Sequence, residues 1–289
     1  MLNSFFMRLD TSAKFYSQVR YRMLARMDEE TDLRRKSFDL AAERYDASRP
    51  KYPEWLIKDL VAKTGLDENS RILEVGPGTG QLTLQLAKLG FSLVGVELGG
   101  NLARIAQSNL KGHEKVEIVT SDFDEYPLPE GYYDLIIAAT SFHWLNPATR
   151  FQRTGSAIKD QGFLAIISTH HINGGTSDFF RDSQKCYSRW DPGTTEEYHL
   201  PEESEVELRK WEDDLSSCFG TWYSETYRWR ETYTSIDYVS LLMTYSDIIT
   251  MNRRNRDGLL ECIARTIDSE YGGSITKQYL SELFIARKN

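Results

Sequence analysis

The 289-residue sequence has little of several things. It holds three cysteines, Cys186, Cys218 and Cys262. They are too few and too scattered for a disulfide framework or a zinc site, and they suit a reducing, cytoplasmic setting. There is no apolar run of about 18 residues, so no membrane-spanning helix is expected. Positive charge is in deficit, with 35 Lys and Arg against 43 Asp and Glu and a net charge of −8. That disfavours general affinity for nucleic acid or for an anionic membrane. The one basic run, Arg253-Arg254-Asn255-Arg256, is followed by Asp257 and Glu261 and reads as a solvated helix face. No Asp/Glu–His spacing marks a metal site, and no repeat or low-complexity tract appears. What remains is a chain with 40% hydrophobic residues, enough for one large α/β domain with insertions.

The most informative stretch is Arg71-Ile72-Leu73-Glu74-Val75-Gly76-Pro77-Gly78-Thr79-Gly80. Ile72, Leu73 and Val75 read as a buried strand. Three glycines follow at alternate positions, and Gln81 to Ala87 is a good helix former. Strand, glycine turn and helix open a nucleotide-binding βαβ unit, where glycine supplies the turn dihedrals and lets a ligand approach bare backbone. The spacing departs from the dinucleotide fingerprint, because the third glycine comes one residue early. Glu74 beside the loop would repel a pyrophosphate, and it is able to hold a cationic ligand. This motif resembles the first motif of the class I S-adenosylmethionine-dependent methyltransferases. The resemblance implies that Gly76, Gly78 and Gly80 pack against the methionine part of the cofactor. It also implies that Glu74 helps hold the cofactor's amino end, commonly through water.

Further segments fall at suitable distances. Phe91 to Glu97 reads as a second strand ending in an acid, and an acid there can accept both ribose hydroxyls, with a solvated strand-end carboxylate as the plainer alternative for Glu97. Val116 to Phe123 is a third strand ending in Ser-Asp-Phe. By resemblance, Asp122 accepts the adenine amino group and Phe123 packs on the ring. The bare alternative for Asp122 is a loop-turning aspartate. Tyr133 to Leu145 is a fourth strand running into Phe142-His143-Trp144. With Phe38…Tyr45-Asp46…Arg49-Pro50…Tyr52-Pro53, it resembles the small-molecule group that includes ubiquinone-type and trans-aconitate-type methyltransferases. The resemblance implies that the 38–53 stretch covers the cofactor. Tyr45 and Arg49 share a face if that stretch is helical, and Pro50 and Pro53 end the helix. A surface helix is the plainer alternative.

The expected fold is α/β: a Rossmann-like, seven-stranded, mostly parallel sheet with helices on both faces and a helical cap insertion. Four segments are expected: an N-terminal extension over 1–35, the cofactor-binding core over 36–170, the cap over 171–220, and strands and helices completing the sheet over 221–289. Strand five is read over 162–168, where Lys159-Asp160-Gln161-Gly162 departs from the family's usual Pro-Gly-Gly turn. An acidic helix is read over 202–214, strand six over 221–234, helices over 238–250 and 257–267, and strand seven over 275–286.

Methyl transfer from a sulfonium needs alignment and a desolvated site more than covalent help. A base is needed only if the acceptor still holds a proton. His143 is the candidate base, with packing beside Trp144 as its alternative. His170-His171 is a second pair, of which at most one faces the site because strand side chains alternate. The expected substrate pocket joins Tyr45, Arg49, His143, Trp144 and His170 onward. The expected activity is methyl transfer from S-adenosyl-L-methionine to oxygen of a small acceptor. A protein or RNA methyltransferase, or a silent cofactor-binding regulator, is the alternative. The sequence leaves oligomeric state open.

Overall fold

The computed structural model describes residues 39, 42–191, 199–215 and 218–289. The expected extension over 1–35 lies outside them. Seven strands form one sheet: β1 (Arg71–Val75), β2 (Ser92–Glu97), β3 (Val116–Thr120), β4 (Tyr133–Ala139), β5 (Ile158–Gly175), β6 (Phe219–Thr234) and β7 (Ser274–Lys288). Their order is β3-β2-β1-β4-β5-β7-β6. β3 to β5 pair in parallel through β2, β1 and β4. β7 runs antiparallel to both β5 and β6.

Alternation along each strand builds a core on both faces. On β4, Leu135 and Ile137 enter one core while Ile136 and Ala138 enter the other. On β7, Leu283 and Ile285 face the first and Phe284 and Ala286 the second. A strand buried on both sides reads as a near-continuous apolar run, as β1 and β4 do. Helices α1 (Ala42–Ser48), α2 (Glu54–Thr64), α3 (Gln81–Ala87), α4 (Gly100–Asn109) and α5 (Arg150–Ala157) belong to the βα core. α2 stops where Gly65 turns left-handed at φ 64° and donates to the Val61 carbonyl.

A third core forms the cap. It joins α6 (Ser177–Asp182), α7 (Gln184–Trp190), α8 (Ser235–Leu242), α9 (Ser246–Thr250) and α10 (Arg253–Glu270) to the far ends of β6 and β7. Phe179 is its hub, edge-on to Phe180, Tyr238 and Tyr271 at 5.1–5.5 Å between centroids. The cap therefore draws on two separate stretches of chain, and not on 171–220 alone.

Several expectations need correction. β5 continues from Ile158 to Gly175, well beyond 162–168, because Ile158 pairs with Tyr133 of β4 and β7 pairs with the strand from Phe163 to Gly175. The acidic helix over 202–214 is absent. Two short 3₁₀ turns stand there instead, Glu203–Glu205 and Trp211–Asp213. Glu203 and Glu207 would repel one helical turn apart, and Glu202 and Glu203 are held instead by Asn173 and Arg228. The helix over 238–250 is split into α8 and α9. At the departure from the Pro-Gly-Gly turn, Gln161 itself takes a left-handed conformation, φ 66°. Finally, Cys186 on α7 and Cys262 on α10 form a disulfide across 76 residues of sequence. The expectation that these cysteines are too scattered for a disulfide fails for that pair. Cys218 is not part of a disulfide. None of the described helices is long and apolar enough to cross a membrane.

Candidate functional site

Parallel α/β sheets open a crevice at the carboxyl ends of their strands. A cavity of about 440 Å³ lies there. Val75 ends β1, Glu97 ends β2, Ser121 follows β3, Ala139 ends β4, and Thr169 and His171 lie on β5; all line it. Its other walls come from α1, from Tyr245 after α8, and from β6 and β7.

The glycine loop forms one end. Gly76, Gly78 and Gly80 have φ of 65°, 61° and 91°, which a side chain resists. A Cβ on Gly76 would come 2.8 Å from Ser141 Cβ, and one on Gly78 would come 3.3 Å from the Tyr45 ring. Gly76 and Gly78 line the cavity, whereas Gly80 packs on Ala106 and Leu110 of α4. Glu97 organises this end. Its carboxylate accepts the Gly78 N–H at 2.9 Å and the Gly99 N–H at 2.8 Å. Burial raises its pKa against the pull of those two bonds.

Glu74 stands behind the loop and does not line the cavity. It is 2% exposed and accepts the Thr83 hydroxyl at 2.7 Å. Burial, opposed by the Thr83 bond and aided by the charge of Glu97, pushes its pKa up to about 7. Phe123 lines the cavity, and the Arg153 guanidinium lies 5.7 Å from its centroid. Asp122 does not line the cavity; its side chain accepts the Asp124 N–H at 2.9 Å, the loop-turning arrangement.

The α1 segment forms the wall beside the glycine loop, with the Tyr45 ring next to Gly78. Asp39 accepts the N–H groups of Asn101 and Leu102 at 2.7 and 3.1 Å, which ties the chain leading into α1 to the start of α4. Asn109 donates to Asp46 at 2.6 Å. Held this way, Tyr45 and Arg49 face the cavity together, with the guanidinium 4.9 Å from the tyrosine ring centroid. His143 and Trp144 also line the cavity, their rings 4.7 Å apart between centroids. His143 keeps one edge in solvent. Desolvation, then the positive charges of Arg209 and Arg150, hold its pKa below the usual histidine value.

On β5 the structure turns His171, and not His170, to the cavity. Thr169 and His171 share one face by the period-two rule, which sends His170 to the other. His171 is neutral, with burial first and Lys277 second lowering its pKa to about 2. Sequence reasoning missed Tyr245, Lys277 and Tyr279, left Tyr52 without a role, and left the choice between His170 and His171 open; Tyr52, His171, Tyr245, Lys277 and Tyr279 all line the cavity. Lys277 left one signal. It is the charged residue on the strand face that carries Ile275, Tyr279, Leu283 and Ile285.

Residues 73–166 match the model of the methyltransferase domain family. That matched stretch, with the strand order around it, is similar to the class I methyltransferases. The chain is 33% identical over 102 residues to a malonyl-[acyl-carrier protein] O-methyltransferase of Geobacter sulfurreducens, covering 34% of this chain and 38% of that protein. It is 26% identical over 131 residues to an uncharacterized methyltransferase of Mycobacterium tuberculosis, covering 45% of this chain and 51% of that one. The match therefore spans about half the length of these relatives or less. The YcgJ protein of Bacillus subtilis has the same fold, with a TM-score of 0.50 at 14% identity, over 82% of this chain and 99% of that chain.

Proposed function

We propose that this protein transfers a methyl group from S-adenosylmethionine to an oxygen atom of a small organic acceptor. One observation carries the reading. One continuous cavity joins the glycine loop and Glu97 to the side chains of Arg49, His143 and Trp144, so cofactor and acceptor sites adjoin. The cradle suits the cofactor, because two glycines leave backbone bare at the wall and an acid ends β2. When bound, the cofactor supplies an electrophilic methyl group, which leaves alignment and desolvation to the protein.

The chain's own residues divide that work. Gly76 and Gly78 receive the methionine portion, and Glu97 keeps lone pairs for the ribose hydroxyls. Phe123 flanks the base, with Asp122 beside it. Glu74 adds negative charge behind the loop. Tyr45 and Arg49 close the cavity from α1. His143, neutral at pH 7, accepts a proton from an acceptor hydroxyl; a carboxylate acceptor makes no such demand.

Calorimetric titration with S-adenosylhomocysteine tests the cofactor half, and release of that product across an acceptor panel tests the rest. Glu97→Ala is expected to weaken cofactor binding by about 2 kcal/mol, the scale of hydrogen bonds to a charged acceptor. A loss below about half a kcal/mol, in a variant that keeps its fold, would mean that Glu97 only fastens Gly78 and Gly99.

A further inference from the structure

Around Tyr245 the cavity holds two cations, Lys277 buried and Arg49 half-buried, with no carboxylate between them. Lys277, on β7, is 3% exposed. Its Nζ donates to the Tyr245 hydroxyl at 3.1 Å, and its other neighbours are aromatic faces, with the Tyr279 centroid 5.1 Å away. Arg49 donates from Nε to the Thr244 hydroxyl at 2.9 Å and from Nη2 to the Thr244 carbonyl at 3.1 Å. Its guanidinium lies 4.9 Å from the centroid of Tyr45 and 4.9 Å from that of Tyr245. Among the described residues, neither cation forms an ion pair. Glu231, which is opposite Lys277 in the β6–β7 register, is exposed to solvent.

Glu97 is the acid that lines the cavity, and its oxygens already accept the backbone N–H groups of Gly78 and Gly99. Burying cations without an opposite charge is costly. Tyr245 registers the imbalance: burial alone would raise its phenol, yet Lys277 and Arg49 hold it below the usual phenol value. His171 adds an imidazole whose Nε2 is buried without a hydrogen-bond partner.

We propose that Arg49 and Lys277 anchor a carboxylate of the acceptor, and that this carboxylate is not the group that is methylated. The proposal rests on the methyl-transfer reading above and names its acceptor class: a small organic acid that carries a second oxygen, either a hydroxyl or another carboxylate. Two arguments separate anchor from nucleophile. A carboxylate engaged by two cations has its charge neutralised and its lone pairs occupied, which makes it a poor nucleophile. The sheet order also separates them. Glu97 lies on β2, His143 follows β4, and Lys277 lies on β7, beyond β5. An acceptor held at β7 therefore extends its free end toward the β4 turn and the cofactor half.

The test uses the full chain saturated with S-adenosylhomocysteine and titrated calorimetrically with succinate and benzoate, their neutral counterparts succinamide and benzamide, and inorganic phosphate. The carboxylates should bind at least tenfold more tightly than the amides. Lys277→Met and Arg49→Gln should each cost tenfold or more in carboxylate affinity, and Lys277→Met should leave S-adenosylhomocysteine affinity within twofold. Should Lys277→Met fail to fold, Lys277→Gln carries the same expectation. Carboxylates and amides that bind alike, or not at all, would overturn the anchor, as would phosphate binding more tightly than either carboxylate. A Lys277 variant that weakens S-adenosylhomocysteine but not 5′-methylthioadenosine, which lacks the carboxylate, would assign Lys277 to the cofactor and overturn the proposal. Wild-type protein that fails to bind S-adenosylhomocysteine would overturn the methyl-transfer reading itself.

Discussion

Glu74→Gln should stabilise the protein by up to about 3 kcal/mol at pH 8 and leave its stability almost unchanged at pH 4. Glu74 is buried behind the glycine loop, and its carboxyl is raised from 4.5 to about 7. An acid whose pKa is higher folded than unfolded holds its proton longer in the folded state. Stability is therefore fully present below about pH 4.5, falls as pH rises, and levels off above about pH 7. The raise corresponds to about 3 kcal/mol when fully expressed. Glutamine removes the ionisation and keeps an amide oxygen to accept the Thr83 hydroxyl, which now donates at 2.7 Å. Denaturant titrations of both proteins at pH 4, 6 and 8 measure the difference. An equal gain at every pH would sink the argument. The same substitution is expected to weaken S-adenosylmethionine binding, because a negative charge behind the loop favours a positively charged ligand in front of it. Stability rising while affinity falls is the usual trade at a functional site. Undiminished affinity would remove Glu74 from the cofactor's surroundings.

The parts of the molecule that were legible in the sequence are the parts with local signals. β1, the glycine loop and α3 announce themselves by an apolar run, three alternate glycines and a helix former, all within 17 residues (71–87). β2 and β4 follow the same logic, and so does the antiparallel pair near the end of the chain. Residues brought together by distant pairing were not legible. Lys277 meets Tyr245, on which Arg49 also lies, only because β7 inserts between β5 and β6. The choice between His170 and His171 depends on the register of β5, which alternation alone leaves undetermined. The Cys186–Cys262 pair depends on how α7 packs on α10, across 76 residues. The acidic stretch near Glu203 failed for the opposite reason. Its helix formers were counted, and their mutual repulsion was not.

His143→Ala is expected to lower turnover by roughly 10²–10⁴-fold, the range for loss of a general base, with cofactor affinity unchanged. The base must be unprotonated at working pH and within the acceptor's cavity. His143 meets both conditions: it lines the cavity, and desolvation together with Arg209 and Arg150 keeps its pKa below 6.5. Because a lowered histidine pKa favours the neutral form, wild-type turnover should hold through neutral pH and fall only when acid protonates the imidazole. The alanine variant should lack that acidic limb. Its position also fits the proposed acid anchor, since an acceptor held at β7 by one carboxylate would carry its free hydroxyl toward the turn after β4. Release of S-adenosylhomocysteine, followed from pH 5 to 9 with the acceptor found by the panel screen, gives the profile for both proteins. A variant within about threefold of wild type, with the same acidic limb, would assign His143 to packing against Trp144, 4.7 Å away between ring centroids. The methylated group would then be a second carboxylate, which carries no proton to remove.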